Sequence, residues 1–263
     1  MAEITIRECS SIQELDHCVL LQRDVFGLPD LEISPRRHLI VSRQAGGWTL
    51  GAFAENRLVG FVHHLTGVRN GNEVFGYSHM MAVDREYQNK GVGARLKWSQ
   101  RARALEEGRS FIKWTWDPMQ ARNAHFNLNR LGVVVSSYGE NFYGTDYPVS
   151  PVPELPGIDS DRLFAGWQIR SNRVERLGQG ESVPITAAPE ATIKIPSDWT
   201  GLLKSDPHGA KRELLRARGE FHENFGKGLV CAGFQRGDGK SSEPQYLLYR
   251  ADVINEVNEK EGR

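Results

Sequence analysis

Cysteine is scarce: Cys9, Cys18 and Cys231 are the only three in 263 residues. That number is odd and too small for a disulfide framework. With no CxxC pair and no Cys/His spacing, no zinc or other metal centre is expected. Charge of one sign is also missing, since 33 Lys+Arg balance 33 Asp+Glu. Such a chain has no global pull toward nucleic acid or anionic lipid, so neither is expected as a partner. No apolar run approaches the roughly 18 residues of a spanning helix, and the opening MAEITIRECSS lacks the apolar core of a signal peptide. These absences lead to the expectation of a reduced, soluble, cytoplasmic protein. What is present is ample core material: 39% hydrophobic residues, with six Trp, seven Tyr and eleven Phe, which excludes disorder for most of the chain.

Proline is concentrated rather than abundant. Residues 147–158 read YPVSPVPELPGI, and a stretch that cannot donate to a ladder predicts an extended connector. It separates residues 1–146 from 159–263, the expected two domains. In the first, Ile4 and Ile6 suit a strand, and Ser11 with Glu14 forms a capping box opening a helix to Phe26. Ser34-Pro35 offers an N-cap and first-turn proline for a second helix ending near Gly46-Gly47. WTLGAFA (48–54) and LVGFVHHLT (58–66) read as a hairpin, followed by the strand EVFGYSHMMAV (73–83). A helix from about Gly91 to Glu107, a strand FIKWTW (111–116), a helix over 121–131 and a strand VVVSSY complete the pattern.

The chemical signal lies where strand 73–83 hands over to the next helix, at Gln88-Asn89-Lys90-Gly91-Val92-Gly93. First-turn N–H groups have no intrahelical partner and carry about half a positive charge, so a two-glycine turn there can curl around a phosphate. Lys90 and Arg95 can add charge. The hexapeptide alone is weak, and an ordinary glycine-rich turn reads the same way. It is not a GxxxxGK[ST] loop, and it lacks the third glycine of GxGxxG.

Its context resembles the GCN5-related N-acetyltransferases (GNAT). MMAVDREYQNKGVGARL looks like that family's acyl-CoA motif, NAHFNLNRLGV looks like its second signature, and the hairpin containing Leu58-Val59-Gly60-Phe61 is similar. The resemblance covers residues 4–145. It implies an α/β (α+β) fold with a mixed central sheet and one splayed pair of strands, plus a smaller α+β C-terminal half. It also implies acetyl-CoA or another acyl-CoA as co-substrate, with no metal. By position, Met81, Ala82 and Val83 would present a free strand edge. Gln88, Asn89, Lys90, Gly91, Val92, Gly93 and Ala94 would hold the pyrophosphate through main-chain N–H groups. Asp117, Asn123 and Asn127 would line the other side; Asn123 could bond the pantetheine amides or stand idle on a helix exterior.

One departure concerns proton return. Many GNAT proteins carry a Tyr four residues before the closing Gly of the second signature, where this chain has Leu128. Tyr138 or Tyr143 could substitute, or simply pack. The acceptor amine must first lose a proton, and His79 is the candidate base, two residues before Met81 and so on its face of the pleat. A core histidine bonded to backbone is the competing reading. Glu73 shares its parity at the strand's beginning. His63, His64 and His125 show no partner and read as structural.

In the C-terminal part, residues 161–171, 191–195, 229–235 and 245–250 read as strands, GDGK as a turn, and 208–226 as a helix. A degenerate partial repeat of the first fold and an unrelated extension both remain open, as does a role as a wall of the acceptor pocket. Arg162, Arg170 and Arg173 around Trp167 could clamp a carboxylate or form a solvated face. The expected function is N-acyl transfer, acetyl or succinyl, to a small-molecule amine such as an amino acid. A non-catalytic CoA-binding protein is the alternative, and a homodimer is left open.

Overall fold

The computed structural model describes residues 3–145, 157–237 and 242–259. The proline-rich connector therefore lies outside the described residues except for Gly157 and Ile158, as does most of the GDGK turn. Two compact units divide between Lys113 and Trp114 rather than at the prolines.

In the first unit, β1 (Ile4–Glu8) leads into α1 (Ile12–Phe26). Its capping box forms: Ser11 Oγ accepts from Glu14 N at 3.2 Å, and Glu14 Oε2 accepts from Ser11 N at 3.1 Å. The second helix, α2 (Arg36–Gln44), starts one residue later than its Ser-Pro signal suggests. Pro35 is the N-cap, and the Ser34 hydroxyl makes no cap bond. Then come β2 (Trp48–Ala54), β3 (Arg57–Arg69), β4 (Glu73–Val83), α3 (Val92–Glu106) and β5 (Phe111–Trp116). Strands β1 to β4 pair antiparallel in chain order. β5 joins β4 in parallel, and within this unit their ladder holds only Gly76 to Ile112 and Tyr77 to Lys113. The sheet is thus mixed, as expected.

Alternation along β3 and β4 builds two cores, one per face. Phe61 and Ala82 pack with Cys9, Leu15, Cys18 and Leu39 beneath α1 and α2. Val59 and Val62 pack with Trp48, Val92 and Leu96 beneath α3. Fully burying each such large side chain contributes about 1.5–3 kcal/mol.

The second unit takes over at Trp114 within β5. It contains α4 (Ala121–His125), β6 (Val134–Gly139), β7 (Arg162–Gln168), α5 (Asn172–Gly178) and β8 (Ala191–Lys194), followed by α6 (Trp199–Ser205), α7 (Pro207–Gly226), β9 (Leu229–Gln235), β10 (Gln245–Arg250) and α8 (Ala251–Asn258). Its strands run β5-β7-β6-β9-β10-β8. Because β6 pairs with β7 and with β9, strands on both sides of the prolines share one sheet. The helix expected over 121–131 is α-helical only to His125; Phe126–Arg130 is π-helical. Leu131 N donates to Phe126 O at 3.1 Å, the i→i+5 closure. Asn129 holds that wider turn by exchanging two 2.9 Å bonds with the backbone of Phe234.

Candidate functional site

The turn between β4 and α3 is left-handed at two positions and opens a helix without a side-chain cap. Asn89 and Gly91 both take left-handed φ, 59° and 83°. A Cβ on Gly91 would meet nothing within 4 Å, so it is φ rather than space that demands glycine there. Gly91 is the N-cap of α3 and makes no side-chain cap bond, leaving the N–H groups of the first turn to outside partners. Gln88 turns inward, donating from Nε2 to Val83 O at 3.0 Å and tying the turn to the end of β4. Lys90 Nζ lies 5.6 Å from the Tyr87 ring centroid. Met81 and Val83 pack toward α3, and Ala82 toward α1 and α2.

β4 is bulged at His79. His63 of β3 faces Met80 and His64 faces Ser78, so His79 is the extra residue. This corrects the expectation that His79 and Met81 share a face. Spacing of two implies one face only in an unbroken pleat, and the inserted residue puts them on opposite sides. Met81 packs under α3. His79 stands with His38 of α2 and His63, at ring-centroid distances of 5.6 and 6.1 Å, and its Nε2 lies 3.3 Å from Ser34 Oγ. One edge of the ring is open to solvent while the other is enclosed. That enclosure, and secondarily the His38 imidazole, hold its pKa below the ordinary value. Glu73 is not brought to this place. It pairs with Arg69 at 2.5 Å and Asn70 at 3.2 Å at the β3–β4 turn, and the Arg69 bond lowers its pKa. It lies six positions along the strand from His79, about 20 Å.

Beneath the bulge, on the α3 side, lies a buried polar cluster. Lys97 Nζ donates to Ser78 Oγ at 2.8 Å and to Gln100 Oε1 at 3.0 Å. Gln100 contacts His64 Nδ1 at 3.1 Å, and Arg109 Nη1 donates to His64 Nε2 at 2.7 Å. The His64 ring stacks on Trp48 with centroids 4.0 Å apart. Burial pushes the Lys97 amine well below the usual lysine range. Burial also lowers His64 from 6.5 to about 2 and His63 from 6.5 to about 3. Both therefore fold neutral, whereas an unfolded chain protonates them below pH 6.5. Stability is lost as pH falls through that value, at up to about 3 kcal/mol per pH unit for two protons. Urea midpoints at pH 7 and pH 5 check this: we expect a steep fall, and an unchanged midpoint would contradict it.

In the second unit, Tyr138 OH donates to Asp161 Oδ2 at 2.6 Å, and burial followed by that bond raises its pKa, which makes it a poorer acid. Tyr143 OH lies 3.3 Å from Thr115 Oγ1. Asn123 is exposed on α4, and Asn127 is buried. Asp117 accepts from Met119 N at 2.8 Å, and burial raises its pKa. Leu128 is fully buried. The arginines near Trp167 form no common face. Arg173 is 3% exposed and donates to Leu128 O and Ala232 O, Arg170 is exposed, and Arg162 stands over the Tyr143 ring. No group of three His, Cys, Asp or Glu able to hold a metal occurs among the described residues.

A model of the Acetyltransferase (GNAT) family matches residues 15–132. That span contains β4, the turn and α3 in full. Residues 15–132 form a GNAT acetyltransferase domain.

No curated protein matches the chain. Among solved structures, a putative GNAT-family acetyltransferase from Desulfovibrio desulfuricans is similar in fold. It is 14% identical, with 64% of this chain covering 99% of that one at a TM-score of 0.50. The ribosomal-protein-S18-alanine N-acetyltransferase of Escherichia coli is 14% identical, over 64% of this chain and 94% of that one, at 0.49. A GNAT acetyltransferase from Elizabethkingia anophelis with acetyl-CoA bound is 16% identical, over 63% and 97%, at 0.45. The match to this acetyltransferase family covers residues 15–132, under half of the chain.

Within the GNAT domain, sequence reasoning missed Ser34, His38 and Lys97. The first two meet His79 across some forty residues of chain, which no local pattern reports. Lys97 had a signal that went unused: the apolar stripe of α3 drifts after Leu96, where the buried positions are Lys97 and Gln100.

Proposed function

We propose that the chain is an acyl-CoA-dependent N-acyltransferase, using acetyl-CoA and passing the acetyl group to the amine of a small molecule such as an amino acid. The observation that carries this reading is the uncapped N-terminus of α3 behind the left-handed turn at Asn89 and Gly91, at the end of β4 within the GNAT domain. That cradle fits a CoA pyrophosphate: its donors are backbone N–H groups, and its outer residue is a glycine with open space above it. The co-substrate supplies an activated thioester carbonyl. Gln88 to Ala94 bind its phosphates, and the β4 residues Met81 to Val83 align the arm that carries the thiol.

His79 takes the proton from the attacking amine. A lysine-like amine costs about 4–5 kcal/mol to deprotonate at pH 7, and a peptide α-amine about 1. A neutral imidazole at the bulge is placed to offset that cost. In transfer the C–N bond forms, the C–S bond breaks, and the thiol leaves with a proton. Its ordinary pKa near 8.5 lets it depart without a dedicated tyrosine, which suits a chain with Leu128 buried at the tyrosine position.

Free-thiol release from acetyl-CoA and from succinyl-CoA, measured against amino acids and other small amines, tests the reading. Release that depends on an amine and prefers acetyl-CoA is expected. Preference for succinyl-CoA would overturn the donor assignment.

A further inference from the structure

One face of β7 carries Arg162 and Phe164, while Leu163, Ala165 and Trp167 are buried on the other. Gly139 of β6 lies opposite Arg162, and a Cβ on it would come within 2.8 Å of the Phe164 ring, so glycine leaves that ring its place. The Phe142 ring stands edge-on to Phe164, with centroids 5.3 Å apart, and to Tyr143 at 4.7 Å. These rings are carried by a tied backbone. Phe142 N–H donates to Ser160 O at 3.0 Å and Tyr143 N–H to Ser160 Oγ at 2.7 Å, and Tyr143 OH lies 3.3 Å from Thr115 Oγ1. Phe142 and Tyr143 nevertheless stay 46% and 49% exposed.

Arg162 stands over Tyr143, its guanidinium carbon 4.9 Å from the ring centroid. Its Nε is buried without a hydrogen-bond partner, and neither Nη bonds to a described residue. Nε alone is enclosed, so the two Nη nitrogens form the open end of the fork. The carboxylates next to it in sequence are already held by Arg218 of α7. That residue donates from Nε and Nη2 to the two oxygens of Asp161, each at 2.8 Å, and pairs with Asp159 at 2.6 Å and Glu140 at 3.3 Å. Asp117 lies within the field of Arg162 but forms no ion pair with it. Its oxygens accept from Met119 N at 2.8 Å and Gln120 Nε2 at 3.2 Å.

We propose that Arg162, with the Tyr143 and Phe142 rings, forms a binding site for an aryl or arylalkyl carboxylate. The two Nη–H groups at the open end match the two oxygens of a carboxylate, and a flat apolar body behind it lies against the half-exposed rings. Stacking on Tyr143 holds the guanidinium in one plane, so little side-chain freedom is lost on binding. A single negative charge suits the place better than a phosphate dianion, because Asp117 already shares the field of Arg162.

Amide shifts of the nitrogen-15-labelled full chain, titrated separately with phenylacetate, acetate, benzyl alcohol and phenyl phosphate, read the site directly. Phenylacetate should saturate and move the amides of Phe142, Tyr143 and Arg162. It should bind about tenfold or more tightly than acetate, which lacks the ring, and than benzyl alcohol, which lacks the charge. Arg162→Gln should weaken phenylacetate by about tenfold or more, and Arg162→Lys, which keeps the charge without the fork, by less. Tyr143→Ala should weaken phenylacetate while leaving acetate unchanged. Unmoved amides elsewhere in the second unit show that a variant has folded, and Arg162→Lys decides the matter if Arg162→Gln has not. No saturable phenylacetate binding, an affinity within twofold in a folded Arg162→Gln, or acetate binding as tightly as phenylacetate would each overturn the inference. Tighter binding of phenyl phosphate would overturn the choice of a carboxylate. These outcomes do not depend on whether acetyl transfer runs through His79.

Discussion

Gly91→Val should weaken acetyl-CoA binding at least tenfold while the protein stays folded. A β-branched residue at φ 83° is strained by about 1–2 kcal/mol, a cost relieved by pulling the turn out of its left-handed form. That movement disperses the N–H groups of the α3 first turn. A hydrogen bond to a charged group contributes about 1.5–3 kcal/mol, so losing one or two corresponds to roughly 10- to 100-fold or more in affinity. Gly93→Ala is the matched control. Gly93 is helical, and a Cβ there meets Met81 Cε at 3.5 Å and Val83 Cγ2 at 3.9 Å, ordinary contacts. Alanine in a helix gains up to about 1 kcal/mol over glycine, so the melting temperature should hold or rise. Calorimetric titration of acetyl-CoA into both variants decides the matter. Affinity within twofold of the unaltered protein for Gly91→Val would remove the phosphate cradle from consideration.

His79→Ala should lower kcat/KM at pH 7 by about 10²- to 10⁴-fold, the usual range for a positioned general base. In the unaltered protein the pH profile should rise through an ionisation below the ordinary histidine value, because enclosure and His38 favour the neutral ring. That ionisation should be absent from the variant, and acetyl-CoA affinity should be nearly unchanged. The structural role of His79 is small: a 3.3 Å contact to Ser34 and edges against two other rings. A profile of the same shape and height in His79→Ala would shift the base to an ordered water.

The sequence was most legible where local rules act without competition. The Ser11–Glu14 box, the β2–β3 hairpin and the glycine turn before α3 are each specified by residues within a few positions of one another, and each forms where its signal lies. Legibility failed at three kinds of place. An inserted residue in β4 reversed the face of His79, because alternation carries no information about the partner strand's register. Ser34 looked like a helix cap, yet a hydroxyl takes whichever partner the fold supplies, and here that is His79. Helices α5, α6 and α8 span only seven or eight residues each, about two turns, which is short for a helical period to stand out in the sequence. Proline composition marks a connector at 147–158, but composition does not say which flanking strands pair. β6 and β7 do so across it.

Main-chain amide shifts during a titration with acetyl-CoA test the central claim most directly. With the 29.6 kDa chain labelled in nitrogen-15, the amides of Gly91, Val92, Gly93 and Ala94 should move furthest and saturate together, followed by those of Met81, Ala82 and Val83 on β4. Saturable binding that leaves the Gly91–Ala94 amides in place would contradict it.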